Sequence, residues 1–331
     1  MHCPRKLYYT LHSGKNPKLF YYVGSYLHLY VPRFILRMLC KHDLQSLEHR
    51  PDRVEIMRRV NYYNQLDPSK AFDRERFSRE SVALKDQLMT GQKVYYLDSY
   101  RYARVFPTSF RWRLLPGDIV RVPAVPSIVK SRPLTADNAN SVLMKLDRVR
   151  HFLFVDDRKP FREKRNMVIF RGLIGQEGSA DLKRNRYEFV RRYYGHSLCD
   201  VGVVDTAYPE WHTEKLTIRE HLDYKFIMAL EGNDVASNLK WVMSSNSVAV
   251  MPRPTCETWF MEGLLQPNVH YIEIAPDFSD LEERLHYYID HPDEAEQIIR
   301  NAHAWVDQFR DRKRERIISY MVLQKYFDTC R

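Results

Sequence analysis

Four short segments of the sequence carry the side chains best suited to chemistry. Arg171 precedes Gly172 at the end of an apolar run, and its fork of N–H donors matches the oxygens of a phosphate. Residues 231–237 (EGNDVAS) end another apolar run, and a glycine-containing loop there could offer backbone N–H groups to a pyrophosphate. Glu257 follows a third run and could bind sugar hydroxyls. Asp98 follows a fourth and could take a proton from an attacking hydroxyl.

Each of these residues also has a purely structural interpretation. Arg171 could form a surface salt bridge beside a turn glycine, and Glu257 could compensate a helix dipole. Asn233 and Asp234 could cap a helix. Asp98 could be an ordinary turn residue. The residues alone leave both interpretations open.

The second half of the chain alternates between strand and helix patterns joined by short connections. Such alternation predicts a parallel sheet, and open parallel sheets bind ligands at the carboxyl ends of their strands. Arg171, the loop 231–237 and Glu257 would then share one edge. The predicted strands cover residues 166–170, 224–230, 247–251 and 269–274, and the predicted helices cover 184–194, 235–244, 255–265, 281–289 and 292–309.

The first half is less regular. Residues 94–97 (VYYL) predict a short strand that ends at Asp98, and the proline-punctuated residues 121–133 predict an extended segment. Residues 141–154 open like a helix. The apolar residues 19–40 predict a strand or turn followed by an amphipathic helix, which charged residues and a proline make unsuitable for spanning a membrane.

Composition limits the class of protein. The 331 residues carry a formal charge of +10, which attracts polyanions. Basic and acidic residues are interleaved, so no dedicated nucleic-acid arm is expected. Five cysteines without a C-x-x-C pair, and an N-terminus without a clean apolar signal segment, predict a reduced cytoplasmic protein.

Several common site signatures are absent from the sequence. The loop 231–237 matches neither the dinucleotide-binding glycine pattern nor a Walker A sequence, and there is no G-x-S-x-G elbow. Asp156-Asp157 is not a D-x-D motif, and His212 and Glu214 lack partners at ligand spacing. No metal site is predicted.

Two C-terminal segments resemble the signature of glycosyltransferase family 90. They are HLDYKFIMALEGNDVASNLKWVMSSNSVAVMP (residues 221–252) and ETWFMEGLLQPNVHYIEI (residues 257–274). The family includes protein O-glucosyltransferases, fungal capsule xylosyltransferases and bacterial lipopolysaccharide core transferases. VYYLDSYRYARVFP, GDIVRVPAVPSIVKSRPL, NSVLMKLDRVRHF and NMVIFRG are most similar to the bacterial branch. The resemblance covers roughly residues 90–310.

This resemblance implies an α/β protein of the GT-B type, with two Rossmann-like lobes facing a cleft and extra N-terminal helices. Residues 1–160 would form the acceptor-side lobe and residues 161–310 the donor-binding lobe. Residues 311–331 would form a C-terminal helix that packs back on the first lobe. The family further implies a UDP-sugar donor as co-substrate, inversion at the anomeric carbon, and neither a cofactor nor an obligatory metal.

The resemblance also assigns residues. Asp98 matches the family's catalytic base. Some relatives carry arginine where this chain has Asn238 or Leu239, so the phosphate charge could fall to Lys240. The donor-binding positions implied are Lys130, Arg132, Arg171, Gly172, Val235, Ala236, Ser237, Asn238 and Lys240, and Glu257 joins them as a predicted donor-binding residue from its position after a strand.

The expected function is transfer of glucose or galactose from a UDP-sugar to an inner-core sugar of lipopolysaccharide, heptose in particular. A basic cytoplasmic enzyme fits the anionic inner face of the cytoplasmic membrane, where residues 19–40 are a candidate for peripheral contact. Nucleic acid is not an expected partner. Two alternatives remain: a basic nucleic-acid-binding protein with a Rossmann-like lobe, and an inactive relative that still binds UDP.

Overall fold

The computed structural model describes residues 5–331. The α-helices are α1 (Arg5–His12), α2 (Lys18–Tyr30), α3 (Arg33–Gln45), α4 (Arg53–Tyr63), α5 (Arg74–Glu80), α6 (Lys93–Ala103), α7 (Arg148–His151), α8 (Arg184–Tyr193), α9 (Ile218–His221), α10 (Leu239–Met243), α11 (Leu281–Asp290), α12 (Pro292–Asp307) and α13 (Arg312–Cys330). The strands are β1 (Val82–Ala83), β2 (Arg111–Trp112), β3 (Ser127–Val129), β4 (Ser131–Pro133), β5 (Ser141–Leu143), β6 (Arg165–Gly172), β7 (Cys199–Val203), β8 (Tyr224–Met228), β9 (Val248–Met251), β10 (Cys256–Thr258) and β11 (Ile272–Glu273).

The chain folds into two compact units. The sheet unit contains residues 5–16, 150–254 and 264–308. The helical unit contains residues 17–149, 255–263 and 309–331. The main boundaries thus lie near residues 150 and 308. Residues 5–16 come early in the chain but belong to the sheet unit, and residues 255–263 come late but belong to the helical unit.

The sheet unit contains a five-stranded sheet in the order β11-β9-β8-β6-β7, and all its pairings are parallel. Its central strands β8 and β9 are buried along their whole length, as continuous apolar runs require. Helices α8, α11 and α12 contribute Phe189, Leu285 and Ile298 to the core that also contains Phe226 and Val250. The predicted α/β class is therefore confirmed, and this sheet is the part that positions the loops considered below.

The helical unit is built differently from the prediction. Its strands form three two-stranded sheets, β1-β2, β10-β4 and β3-β5, so the described residues of this unit contain no second Rossmann-like sheet. Helix α13 packs against α3, α4 and α6. It is buried on several sides, with Ile317, Val322 and Tyr326 fully enclosed. The core of this unit consequently surrounds a helix.

Four local predictions are wrong. Residues 94–97 lie in helix α6 because the buried Tyr95, Ser99 and Tyr102 recur at helical spacing. Residues 141–143 form strand β5, and residues 256–258 form strand β10, where helices were predicted. Residues 18–30 form helix α2, where a strand or turn was predicted. The extended prediction over 121–133 agrees with β3 and β4.

Candidate functional site

The loop after β8 differs from its prediction. A helix starting at Val235 was expected, but α10 begins at Leu239 and contains only five residues. Residues 232–238 instead form bends and turns, and the Asn238 side chain donates a 3.0 Å hydrogen bond to the carbonyl oxygen of Met228. Because the helix is short and starts later, a helix dipole at Val235 does not contribute to anion binding here.

The backbone of this loop offers hydrogen-bond donors all the same. The N–H groups of Gly232, Val235, Ala236 and Ser237 donate to no other described residue. Val235 and Ala236 are buried residues, and an unpaired amide in such a place costs free energy until an acceptor arrives. Lys240, predicted to bind phosphate, is fully buried in α10. Successive unpaired N–H groups of this kind form anion-binding concavities in proteins.

Arg186 on α8 lies at the same edge of the sheet and was missed by the sequence analysis. Its guanidinium donates to the carbonyl oxygens of Leu173, Leu230 and Glu231 at 3.1, 2.8 and 3.1 Å. Among the described residues, no carboxylate forms a hydrogen bond or ion pair with it. A weak sequence signal is its position in the first turn of α8, the helix that follows β6, since that turn lies near the ligand edge of a parallel sheet.

The electrostatics of Arg186 favour an anion. Burial, together with the neighbouring positive charge of Arg150, lowers the pKa of the Arg186 guanidinium to about 10, although Asp234 acts in the opposite direction. The group therefore remains a cation at neutral pH. A half-buried cation whose hydrogen bonds all go to neutral carbonyls gains from a phosphate placed beside it.

Arg171, at the end of β6, is held by a carboxylate. Its Nη2 lies 2.5 Å from Asp200 Oδ1 and its Nη1 donates to the Asp200 carbonyl oxygen at 2.8 Å, while Tyr224 donates to the same carboxylate. The Arg171 Nε is buried and has no partner among the described residues. A Cβ on Gly172 would lie 2.7 Å from the Phe170 ring, so packing accounts for the glycine. Donor contact by Arg171 and Gly172 stays a prediction.

Asp98 lies in the middle of α6 and not after a strand, which corrects the predicted position. Its Oδ1 accepts hydrogen bonds from the Tyr21 hydroxyl at 2.9 Å and from Arg148 Nε at 2.8 Å. Its Oδ2 accepts one from the Arg148 backbone N–H at 3.0 Å. Burial raises the pKa of the Asp98 carboxyl, although Arg148 and Tyr21 lower it. A carboxyl with a raised pKa is closer to the range that suits a general base.

Glu257 and Arg132 face each other across the β10–β4 ladder of the helical unit. Arg132 Nε lies 2.7 Å from Glu257 Oε1, both side chains are buried, and the Tyr62 hydroxyl donates to the same carboxylate. Glu257 was predicted in the first turn of a helix, and this is wrong because the segment is a paired strand. Lys130 is likewise buried and forms an ion pair with Asp118. These charges are compensated inside the unit, and their role in donor binding stays a prediction.

The predicted residues thus fall into two groups. Asp98, Lys130, Arg132 and Glu257 belong to the helical unit, and the other predicted donor residues belong to the sheet unit. Within residues 5–331, no three His, Cys, Asp or Glu side chains are grouped so that they could hold a metal ion. A reaction without a metal therefore stays a prediction.

The parallel sheet brings its carboxyl-edge loop and Arg186 to one edge, and comparison with known proteins gives the class of protein. The family model described as "Glycosyl transferase family 90" matches residues 150–329. The chain belongs to this family and is a glycosyltransferase.

Among individual relatives, the O-glucosyltransferase LpsA of Dichelobacter nodosus is 38% identical over 314 residues, which cover 93% of this chain and 94% of that protein. The uncharacterized protein 179R of Invertebrate iridescent virus 6 is 29% identical over 113 residues, which cover 32% of this chain and 9% of that protein.

Proposed function

We propose that the sheet unit binds a UDP-hexose with the diphosphate at the loop of residues 231–238. The observation that carries the proposal is the combination of unpaired N–H groups at Gly232, Val235, Ala236 and Ser237 with the Arg186 guanidinium. Arg186 forms no hydrogen bond or ion pair with a described carboxylate, and Asp234 acts on it only through a longer-range electrostatic interaction. These groups match the acceptor-rich, doubly charged diphosphate. The same groups would stabilise UDP as it leaves, because they are fixed in place before the reaction.

We further propose that the reaction is an inverting transfer in which Asp98 is the base. An acceptor hydroxyl would have to replace Tyr21 or the Arg148 side chain at the carboxylate, since these donors occupy Oδ1. Asp98 would then take the hydroxyl proton as the hydroxyl oxygen attacks the anomeric carbon, and UDP would leave from the opposite face. The name of the Dichelobacter relative, an O-glucosyltransferase, supports glucose as the sugar transferred.

The acceptor in this proposal is an inner-core sugar of lipopolysaccharide, a heptose, and the place of action is the inner face of the cytoplasmic membrane. The formal charge of +10 supports a phosphorylated acceptor and an anionic surface. No described helix is both long and apolar enough to cross a bilayer. The positive charge is what supports the proposed peripheral location.

Arg186→Gln is expected to weaken UDP binding about 10- to 100-fold, the usual cost of losing a hydrogen-bonded charge. Isothermal titration of UDP into the variant measures this change. Arg191→Gln is the matched control, because Arg191 lies on the same helix but is exposed and paired with Glu188. Arg186→Lys keeps the positive charge but lacks the paired N–H donors of a guanidinium, and it is expected to bind UDP with intermediate affinity. Unchanged UDP affinity in Arg186→Gln would contradict the diphosphate position.

UDP-glucose is expected to raise the unfolding temperature of the wild-type protein. A donor at 100 times its dissociation constant adds about 2.7 kcal/mol to the unfolding free energy. A thermal-shift series with UDP-glucose, UDP-galactose, UDP-xylose and UDP-N-acetylglucosamine, with GDP-mannose as the control, ranks the donors. A shift with oligonucleotides but none with UDP-sugars would favour the nucleic-acid alternative, whereas UDP binding without transfer would favour an inactive relative.

A further inference from the structure

Helix α2 exposes an apolar stripe where a surface helix normally carries polar side chains. Leu19, Val23 and Leu27 are four residues apart, and Phe20 and Tyr30 lie beside them. With 3.6 residues per turn, the five side chains fall within an arc of roughly 100°. Their exposed fractions range from 49% to 84%. The opposite side of α2 packs against α6, so the stripe is the free side of a helix already anchored in the helical unit.

The apolar exposure continues into α3 after the break at Val31 and Pro32. Phe34 and Met38, four residues apart, are 71% and 62% exposed. The buried side of α3 is held in place by Leu36 and Cys40. Exposed aromatic and long aliphatic side chains on two successive anchored helices form an apolar patch of the kind that marks an interaction surface.

Charge indicates what covers this patch. Residues 17–42 contain Lys18, Arg33, Arg37 and Lys41 and no Asp or Glu. Arg33 and Arg37 donate to carbonyl oxygens of residues 104–106, which do not neutralise them. The α2–α3 segment is thus a cationic region with an apolar stripe.

The next residue in the chain, Asp43, is the first carboxylate and does not offset the positive charge of this region. It is buried and paired with Arg316 at 2.8 Å. An anionic bilayer matches both features, because its headgroups are negatively charged and its acyl chains are apolar.

We infer that α2 and α3 form a docking surface for an anionic lipid bilayer. The apolar stripe would enter the boundary between headgroups and acyl chains, and the lysine and arginine side chains would lie against lipid phosphates. This surface extends the proposed peripheral location to named residues, and it does not depend on the donor or base assignments.

Flotation of the full-length protein with vesicles tests the surface. The protein is expected to float with vesicles of phosphatidylcholine mixed with phosphatidylglycerol, and much less with phosphatidylcholine alone. Leu27→Asp/Phe34→Asp is expected to lower partitioning at least about tenfold, because two large apolar groups no longer leave water. Lys18→Gln/Lys41→Gln is expected to lower it about fivefold per cation on the mixed vesicles only.

Matched controls separate this surface from a general effect. Val54→Asp changes an apolar side chain on α4 that is 82% exposed, and Lys70→Gln changes an exposed lysine elsewhere in the helical unit. Both are expected to partition like the wild type. Every variant should keep the wild-type UDP thermal shift, which reports an intact sheet unit.

Three results would overturn the inference. The first is equal binding to neutral and anionic vesicles, and the second is unchanged partitioning of Leu27→Asp/Phe34→Asp. The third is a wild-type protein that binds no vesicles but forms a dimer in solution, whereas the double variant is a monomer. The last result would assign the face to a second copy of the chain. If the wild type binds vesicles but UDP does not change its unfolding temperature, the docking surface is supported and the proposed function is refuted.

Discussion

Asp98→Asn is expected to lower the rate of glycosyl transfer about 10²- to 10⁴-fold while UDP affinity stays near that of the wild type. Asparagine keeps the size of the side chain, and its one oxygen can still accept from the Tyr21 hydroxyl and from Arg148 Nε. Its amide nitrogen cannot accept from the Arg148 backbone N–H, and the side chain cannot take a proton at neutral pH. The measurement is single-turnover transfer of radiolabelled glucose to truncated lipopolysaccharide, with UDP titrated in parallel. Because Asp98 belongs to the helical unit, donor binding by the sheet unit serves as an internal reference.

A structural role for Asp98 makes a different prediction. The carboxylate is 1% exposed and bonds to two residues, so its replacement could act through stability alone. Asp43→Asn is the matched control, because Asp43 is also buried in the helical unit and paired with an arginine, Arg316. If both variants lose stability equally but only Asp98→Asn loses transfer, Asp98 is the base. Turnover of Asp98→Asn at the wild-type rate would contradict the assignment.

Glu315→Gln is expected to give the largest loss of stability, about 3–5 kcal/mol of unfolding free energy. Glu315 Oε1 accepts from Arg59 at 2.7 Å, and Oε2 accepts from Lys145 and from the indole N–H of Trp259, each at 2.8 Å. Arg59 is fully buried, so neutral glutamine removes the negative charge that Arg59 and Lys145 share in the core of the helical unit. Chemical denaturation followed by tryptophan fluorescence measures the loss.

The pH dependence of this stability has a defined sign. Burial acts to raise the pKa of Glu315, but Lys145 and Arg59 outweigh it, and the pKa in the folded protein is lowered. The contribution of Glu315 is therefore present above the pKa of an unfolded glutamate and is lost as the pH falls through the folded value.

Glu55→Gln serves as the control for the Glu315 experiment. It removes an exposed ion pair with Arg58 and is expected to cost less than about 1 kcal/mol. Equal stability losses in the two variants would show that the buried network does not anchor helix α13.

The elements that were predicted correctly from the sequence are those whose apolar residues recur with a helical period or form a continuous run. The strand predictions over 166–170, 224–230 and 247–251 correspond to β6, β8 and β9, because central parallel strands are buried on both faces and read as unbroken apolar runs. Helices α11 and α12 were predicted for the complementary reason, since their apolar residues recur every three or four positions.

The errors arose where local propensity competed with tertiary packing. Val94, Tyr95 and Tyr96 favour a strand, yet packing against α2 and α13 makes the segment a helix. Residues 255–265 have a helical apolar pattern, but pairing of Glu257 with Arg132 across two strands prevails. Such long-range pairing cannot be read from neighbouring residues.

The candidate site was predicted in part. The loop 231–238 was identified from its position after a strand, although its helix begins later than predicted. Arg186 was missed because its significance depends on carbonyl oxygens of Leu173, Leu230 and Glu231, which are distant in the chain. A side chain whose partners are backbone groups leaves little trace in a single sequence.

A crystal structure of the protein with bound UDP tests the central claim most directly. The diphosphate is expected within hydrogen-bond distance of Arg186 and of the backbone N–H groups of Gly232, Val235, Ala236 and Ser237. Nucleotide bound at another place, with those amides still unpaired, would contradict it.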